Sequence, residues 1–249
     1  MQTVIPATSK AIASLLRADF TTQWRNRRAV ILIVLVPVII LVSWKGMIEK
    51  VGGAFILSNC ITIGLTAIGL MGYANSIARD REKGVFQRLR VAPVSSWSIM
   101  FSRLAVQLAM ILIVTLAVFI AGFYIDKISV SFAGYVVALF AAICGGALYL
   151  SIGQVIVGRI QNPEIVNATC RLVYFVFIMV GMFGEFGAFP DALTKVVHWS
   201  PYGVVRRIVS ASLHPDGWKM EDTTALLITL GYTVVFATLG IKWFKWSNK

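Results

Sequence analysis

The chain has 249 residues, 58% of them hydrophobic and 14% charged, with a formal net charge of +12. Soluble domains carry roughly 25% charge, and here the apolar residues gather in long uncharged runs. Those two features exclude a soluble globular domain and predict an all-α integral membrane fold with six transmembrane helices.

Residues 10–28 come first. Ile12, Leu15, Leu16, Phe20 and Trp24 recur at helical spacing, and Lys10, Ser14, Arg17, Thr21, Arg25 and Arg28 hold the other face. A helix with cations opposite an apolar stripe suits the headgroup layer, so this segment is expected to lie on the membrane surface. It holds no apolar core of the kind a cleaved leader needs, so the N-terminus is expected to be retained.

The spans are placed at 29–44, 54–76, 104–125, 133–157, 165–184 and 223–244, because a bilayer core of about 30 Å needs about 20 apolar residues per helix. The first is short, but Arg28 and Lys45 can snorkel and Trp44 suits an interface. The uncharged run Ile128–Gly158 is too short for two helices and a turn, so it counts once. In the fourth span Ala141, Ala142, Gly145 and Gly146 form two small-xxx-small pairs, which permit close helix approach either within the chain or across a dimer. The fifth span encloses Arg171. That cation can snorkel, pair with Glu164 or line an inner vestibule.

Lys and Arg placement sets the orientation. With the N-terminus inside, only Lys45, Lys50, Lys127, Lys195, Arg206, Arg207 and Lys219 of the 23 basic residues fall outside. Both termini are therefore expected in the cytoplasm of a multi-pass protein of the cell (inner) membrane. The basic residues flank spans rather than cluster on one surface, so the charge implies contact with membrane lipids and no nucleic acid.

The loop at 77–96 carries the densest charge: Arg79, Arg81, Glu82, Lys83, Arg88 and Arg90, with Val85, Phe86 and Leu89 among them. Gly84 weakens a helix there, Pro93 ends it, and Ser95 or Ser96 can cap the next. A loop that only had to be wet would not carry the apolar trio, so a docking surface for a protein partner competes with a solvated connector. Between the fifth and sixth spans, residues 185–210 are expected to form short re-entrant helices beginning at Pro190 and Pro201, the second capped by Ser200.

Chemistry is sparse. His198 and His214 have no recognisable nucleophile partner, and the carboxylates are scattered. Cys60, Cys144 and Cys170 are widely spaced and read as inert thiols, with no metal site. No G-x-x-x-x-G-K-[ST] phosphate loop is present. No catalytic residue, cofactor or metal is therefore assigned to the chain.

The run Arg81-Glu82-Lys83-Gly84, then Leu89, Pro93 and Ser95, resembles the cytoplasmic loop of ABC exporter permeases of the drug- and polysaccharide-export class, the type-2 ABC exporters. An amphipathic N-terminal helix at Ile12–Trp24, a Gly- and Phe-rich end of the fifth span at Gly181–Pro190, and Ser200–Arg207 before the last span fit the same pattern. The resemblance implies two paired permeases, identical or close paralogues, each docked on a separate ATPase subunit that holds ATP and Mg. The ATPase-coupling residues would be Arg81, Glu82, Gly84, Val85, Phe86, Leu89 and Pro93. On that reading Phe86→Ala weakens partner binding more than Lys83→Ala. Phe86 and Arg90 depart from the family's usual residues, which bears on partner choice.

Aromatic residues of the fifth span suit a lipophilic, amphipathic or lipid-linked cargo. Tyr174, Phe177 and Phe183, with Phe186, Phe189 and Tyr202 beyond, are the candidates for its path, the last three for an exit gate. A membrane enzyme acting on lipids, or a passive channel or scaffold, remains the alternative.

Overall fold

The computed structural model describes residues 8–91, 96–185 and 190–244. Ten helices organise them: α1 (Thr8–Arg25), α2 (Arg27–Ser43), α3 (Gly53–Glu82), α4 (Val85–Val91), α5 (Ser96–Tyr124), α6 (Phe132–Arg159), α7 (Pro163–Glu185), α8 (Asp191–His198), α9 (Pro201–Leu213) and α10 (Met220–Trp243). No strand occurs among the described residues.

Five helices, α3, α5, α6, α7 and α10, are long and apolar enough to cross a membrane. The bent pair α1 and α2 makes a sixth candidate if the two count as one span: they meet at a 60° bend beside Asn26, and the 17 residues of α2 rise only about 25 Å. Two helices run beyond the apolar stretches placed as spans: α3 continues past residue 76 to Glu82, and α5 begins at Ser96, where the sequence reading puts a helix start, eight residues before 104. Charged residues at the end of a span continue the helix beyond the apolar run, because backbone bonding does not stop where hydropathy does.

α6 is the axis of the bundle and packs on α3, α5, α7, α9 and α10. Where it crosses α3, the latter widens into a π-helical turn over Ala67–Ala74. At that crossing the backbones touch: a Cβ on Gly153 would sit 2.5 Å from the Gly69 carbonyl oxygen, and one on Gly69 would sit 2.5 Å from the Tyr149 carbonyl. Gly145 and Gly146 receive Val205 of α9 and Ile111 of α5. The small-xxx-small pairs are therefore used within the chain.

α3 also carries buried Ser58, Asn59, Thr62 and Thr66. The hydroxyls donate back to carbonyls three or four residues earlier, as Thr62 to Ser58 at 2.7 Å and Thr66 to Thr62 at 2.7 Å, so none enters the apolar core unpaired. Asn59 donates to the Phe55 carbonyl and accepts from the Tyr202 hydroxyl at 2.9 Å, which draws α9 against α3.

The loop after α5 holds an exception. Both carboxylate oxygens of Asp126 are shielded from solvent without a hydrogen-bond partner among the described residues. Burial pushes this carboxyl above the ordinary aspartate range, against the opposing pull of Lys45. A raised folded-state value means that the protonated acid is the better tolerated form. Its contribution to stability is present below the unfolded aspartate value, near 3.9, and is lost as pH rises through the folded value. Asp126→Asn is therefore expected to raise the melting temperature of the purified protein at pH 7 by a few degrees, with the gain shrinking toward pH 4. A gain that is unchanged across that range contradicts the assignment.

Candidate functional site

Three assemblies concentrate the polar chemistry. The first is the face that carries α1 and α4. Past Glu82 the chain turns through Lys83 and Gly84, whose φ of 66° favours a residue without a Cβ. The turn folds α4 back against the bundle. Arg81, 3% exposed, donates to the carbonyls of Val157 at 2.6 Å and Ile160 at 3.2 Å, closing the end of α6. These are backbone acceptors that a helix end leaves without intrahelical donors. Its guanidinium also lies over the Phe244 ring at 5.2 Å. Phe86, 1% exposed, meets the same ring edge-on at 5.9 Å. Arg103 of α5 covers the other side of Phe86 at 4.8 Å and pairs with Asp80 at 2.7 Å. α1 joins through the Ser102 hydroxyl, which donates to Asp19 at 2.5 Å.

This arrangement divides the expected coupling residues. Arg81 and Phe86 point inward: Arg81 ties the end of α3 to the end of α6, and Phe86 holds α4 to Arg103 of α5 and to Phe244 at the end of α10. Phe86 is thus not an anchor offered to a partner, because its ring is already enclosed by its own chain; burial against Phe244 wins over exposure for an aromatic side chain beside an apolar helix end. Glu82, Lys83, Gln87 and Arg88 are exposed on the outer side, with Val85 half-buried. Leu89 supplies backbone to α4; its side chain, with those of Arg90, Pro93 and Ser95, lies outside the described residues.

The second assembly is a cavity of about 540 Å³ between α2, α3 and α7, toward the same face. Leu32, Ile33, Val36, Ala67, Met71 and Tyr174 make its apolar wall. Asn75, Arg79, Glu164, Asn167 and Arg171 make the polar part of its lining. Of the three roles open to Arg171, pairing with Glu164 is not seen among the described residues; its exposed side chain lines the cavity.

The third lies at the opposite face and fixes α8 and α9. Ser200 caps α9 by accepting from the Gly203 amide, and Pro201 takes its first position. Both helices, of 8 and 13 residues, are too short to cross a bilayer core of about 30 Å. Arg207 donates through Nε to Asp222 at 2.7 Å and through a terminal nitrogen to Glu221 at 2.6 Å. Its other terminal nitrogen lies 2.5 Å from His198 Nε2, which must accept, because a guanidinium only donates. Burial disfavours the charge on Arg207, but the bonds and charges of Asp222 and Glu221 outweigh it and hold the proton more firmly than usual. Asp222 also accepts from the Lys219 amide at 2.9 Å, which starts α10. Sequence reading missed this network. Arg206-Arg207 facing Glu221-Asp222 across one loop was the available signal.

The candidate path residues disperse. Tyr174 lines the cavity. Phe177 is half-buried and meets Tyr149 edge-on at 6.2 Å. Phe183 is 51% exposed on the outer surface of α7, and Tyr202 is enclosed at 1% exposure under Gly181. Phe186 and Phe189 lie outside the described residues.

No curated protein sequence matches the chain. The family description "ABC-2 type transporter" matches residues 10–213, from the surface helix through the end of α9. With most of the chain covered by that match and the remaining helix an apolar span, the chain belongs to the ABC-2 type transporter family, as a membrane-spanning permease component.

Proposed function

We propose that the chain is the permease subunit of an ATP-driven exporter, powered by a separate ATPase subunit that docks on the outer side of α4. The observation that carries this is the two-sidedness of α4 and the turn before it. Arg81 ties the end of α3 to α6 and Phe86 locks the inner side of α4 to α5 and the end of α10, while Glu82, Lys83, Gln87 and Arg88 stand exposed. Force applied to the charged side is thereby delivered to several spans. The α4 face is the cytoplasmic one on this reading, supported by the excess of Lys and Arg there. A second permease, identical or a paralogue, completes the path. The cargo is lipophilic, amphipathic or lipid-linked, and α8 and α9 close its outer end.

Exposed charges at an interface set orientation and association more than bulk affinity. Reversing Lys83 and Arg88 together to glutamate is expected to weaken co-purification of the ATPase about tenfold, with a parallel loss of transport. Unchanged association and transport in that variant reject α4 as the docking element.

A further inference from the structure

We propose that the cavity between α2, α3 and α7 binds an amphiphile with an anionic head, held between Arg79 and Arg171. This rests on the permease reading and names the class of cargo. The lining is of two kinds. Leu32, Ile33, Val36, Met71 and Tyr174 offer an alkyl chain an apolar surface, and Arg79 and Arg171 offer two guanidinium groups. The volume of about 540 Å³ falls in the range of small-molecule sites.

Charge decides the head. Arg171 sits eight residues beyond Pro163, about 12 Å along α7, inside a span. An unpaired cation at that depth is costly unless a partner or water reaches it. Among the described residues it forms no ion pair, and Arg79 contacts only the Asn75 carbonyl, at 3.3 Å. Among the described residues Glu164 is the one carboxylate that lines the cavity, so the lining keeps an excess positive charge. Asn75 and Asn167 add amide groups to it. A phosphate or carboxylate head supplies the missing acceptor oxygens, and Arg binds such oxygens through paired donors. A cationic head meets two like charges.

The test uses the full chain purified in dodecyl maltoside, with retained adducts counted by native mass spectrometry. The probes are dodecyl phosphate, dodecyltrimethylammonium and inorganic phosphate. One saturating adduct of dodecyl phosphate is expected, with no adduct of the cationic amphiphile. Arg79→Gln and Arg171→Gln are each expected to weaken binding about tenfold, while Arg171→Lys keeps most of it. Phosphatidylglycerol is titrated in competition. Displacement at equal mole fraction assigns the anionic head to bilayer lipid, and persistence assigns it to a phosphomonoester amphiphile. Equal retention of the cationic probe, or binding indifferent to both Gln variants, overturns the proposal. Displacement by equimolar inorganic phosphate also overturns it, since the site then reads only the anion. So does a change in oligomeric state in Arg171→Gln with binding intact, because the arginine then meets a second copy of the chain. No ATPase is needed here, so failure leaves the docking reading standing, and failed docking leaves this result standing.

Discussion

Replacing Gly153 with valine is expected to leave little folded protein. A Cβ there would sit 2.5 Å from the Gly69 carbonyl oxygen and 3.3 Å from its carbon, with Ala74 Cβ at 3.4 Å. The obstruction is backbone, which has no rotamer to yield, so α3 and α6 must separate. Overpacking of a tight core costs about 1–3 kcal/mol even where side chains adjust, and here the central crossing of the bundle opens. Interfaces of membrane helices depend on close packing, because lipid supplies no hydrophobic force to hold them together. Gly153→Ala is expected to fall between wild type and valine, and Gly69→Ala to resemble it, since its Cβ would meet the Tyr149 backbone. Gly231 has nothing within 4 Å, so Gly231→Ala is the control, neutral or up to about 1 kcal/mol stabilising through helix propensity. Melting temperatures in detergent read the series. A Gly153→Val protein that melts with wild type would show that the crossing tolerates separation.

Arg81→Ala is expected to cut ATP-driven transport at least tenfold while the ATPase still associates. The substitution removes two charge-assisted bonds to the end of α6 and the stacking on Phe244. Bonds to charged groups are each worth about 1.5–3 kcal/mol, so the tie between the ends of α3 and α6 loses on the order of 3 kcal/mol. The exposed side made by Glu82, Lys83, Gln87 and Arg88 is untouched. The end of α3 and the α4 that follows it then move with the partner without carrying α6 along. Arg81→Lys keeps the charge but not the paired donors, so partial rescue is expected. Phe86→Ala should act alike, since its ring is enclosed between Phe244 and Arg103. Co-purification and transport measured on the same preparations separate the outcomes. Transport falling only in proportion to association would make this a docking surface and not a transmitting one.

The all-helical membrane fold and the two short helices after Pro190 and Pro201 were legible from residue order. The reason is local. Within a bilayer each backbone group must bond inside its own segment, so an apolar run of sufficient length declares a helix by itself. Proline and an N-cap serine act over a single turn. What residue order left undecided was the facing of each side chain. Arg81 and Phe86 read as exposed because they sit among charges, yet they are buried by carbonyls of α6 and a ring at the end of α10. Arg81 reaches Val157 across 76 positions, and Tyr202 reaches Asn59 across 143. Gly145 and Gly146 had two open roles until Val205 and Ile111 filled them. Each of these depends on the rotation and axial offset of helices far apart in the chain. A rotation of one helix by a single residue, about 100°, carries Arg81 off the end of α6 without changing any segment's hydropathy. Hydropathy is indifferent to that rotation, and only packing of the helices against one another selects it.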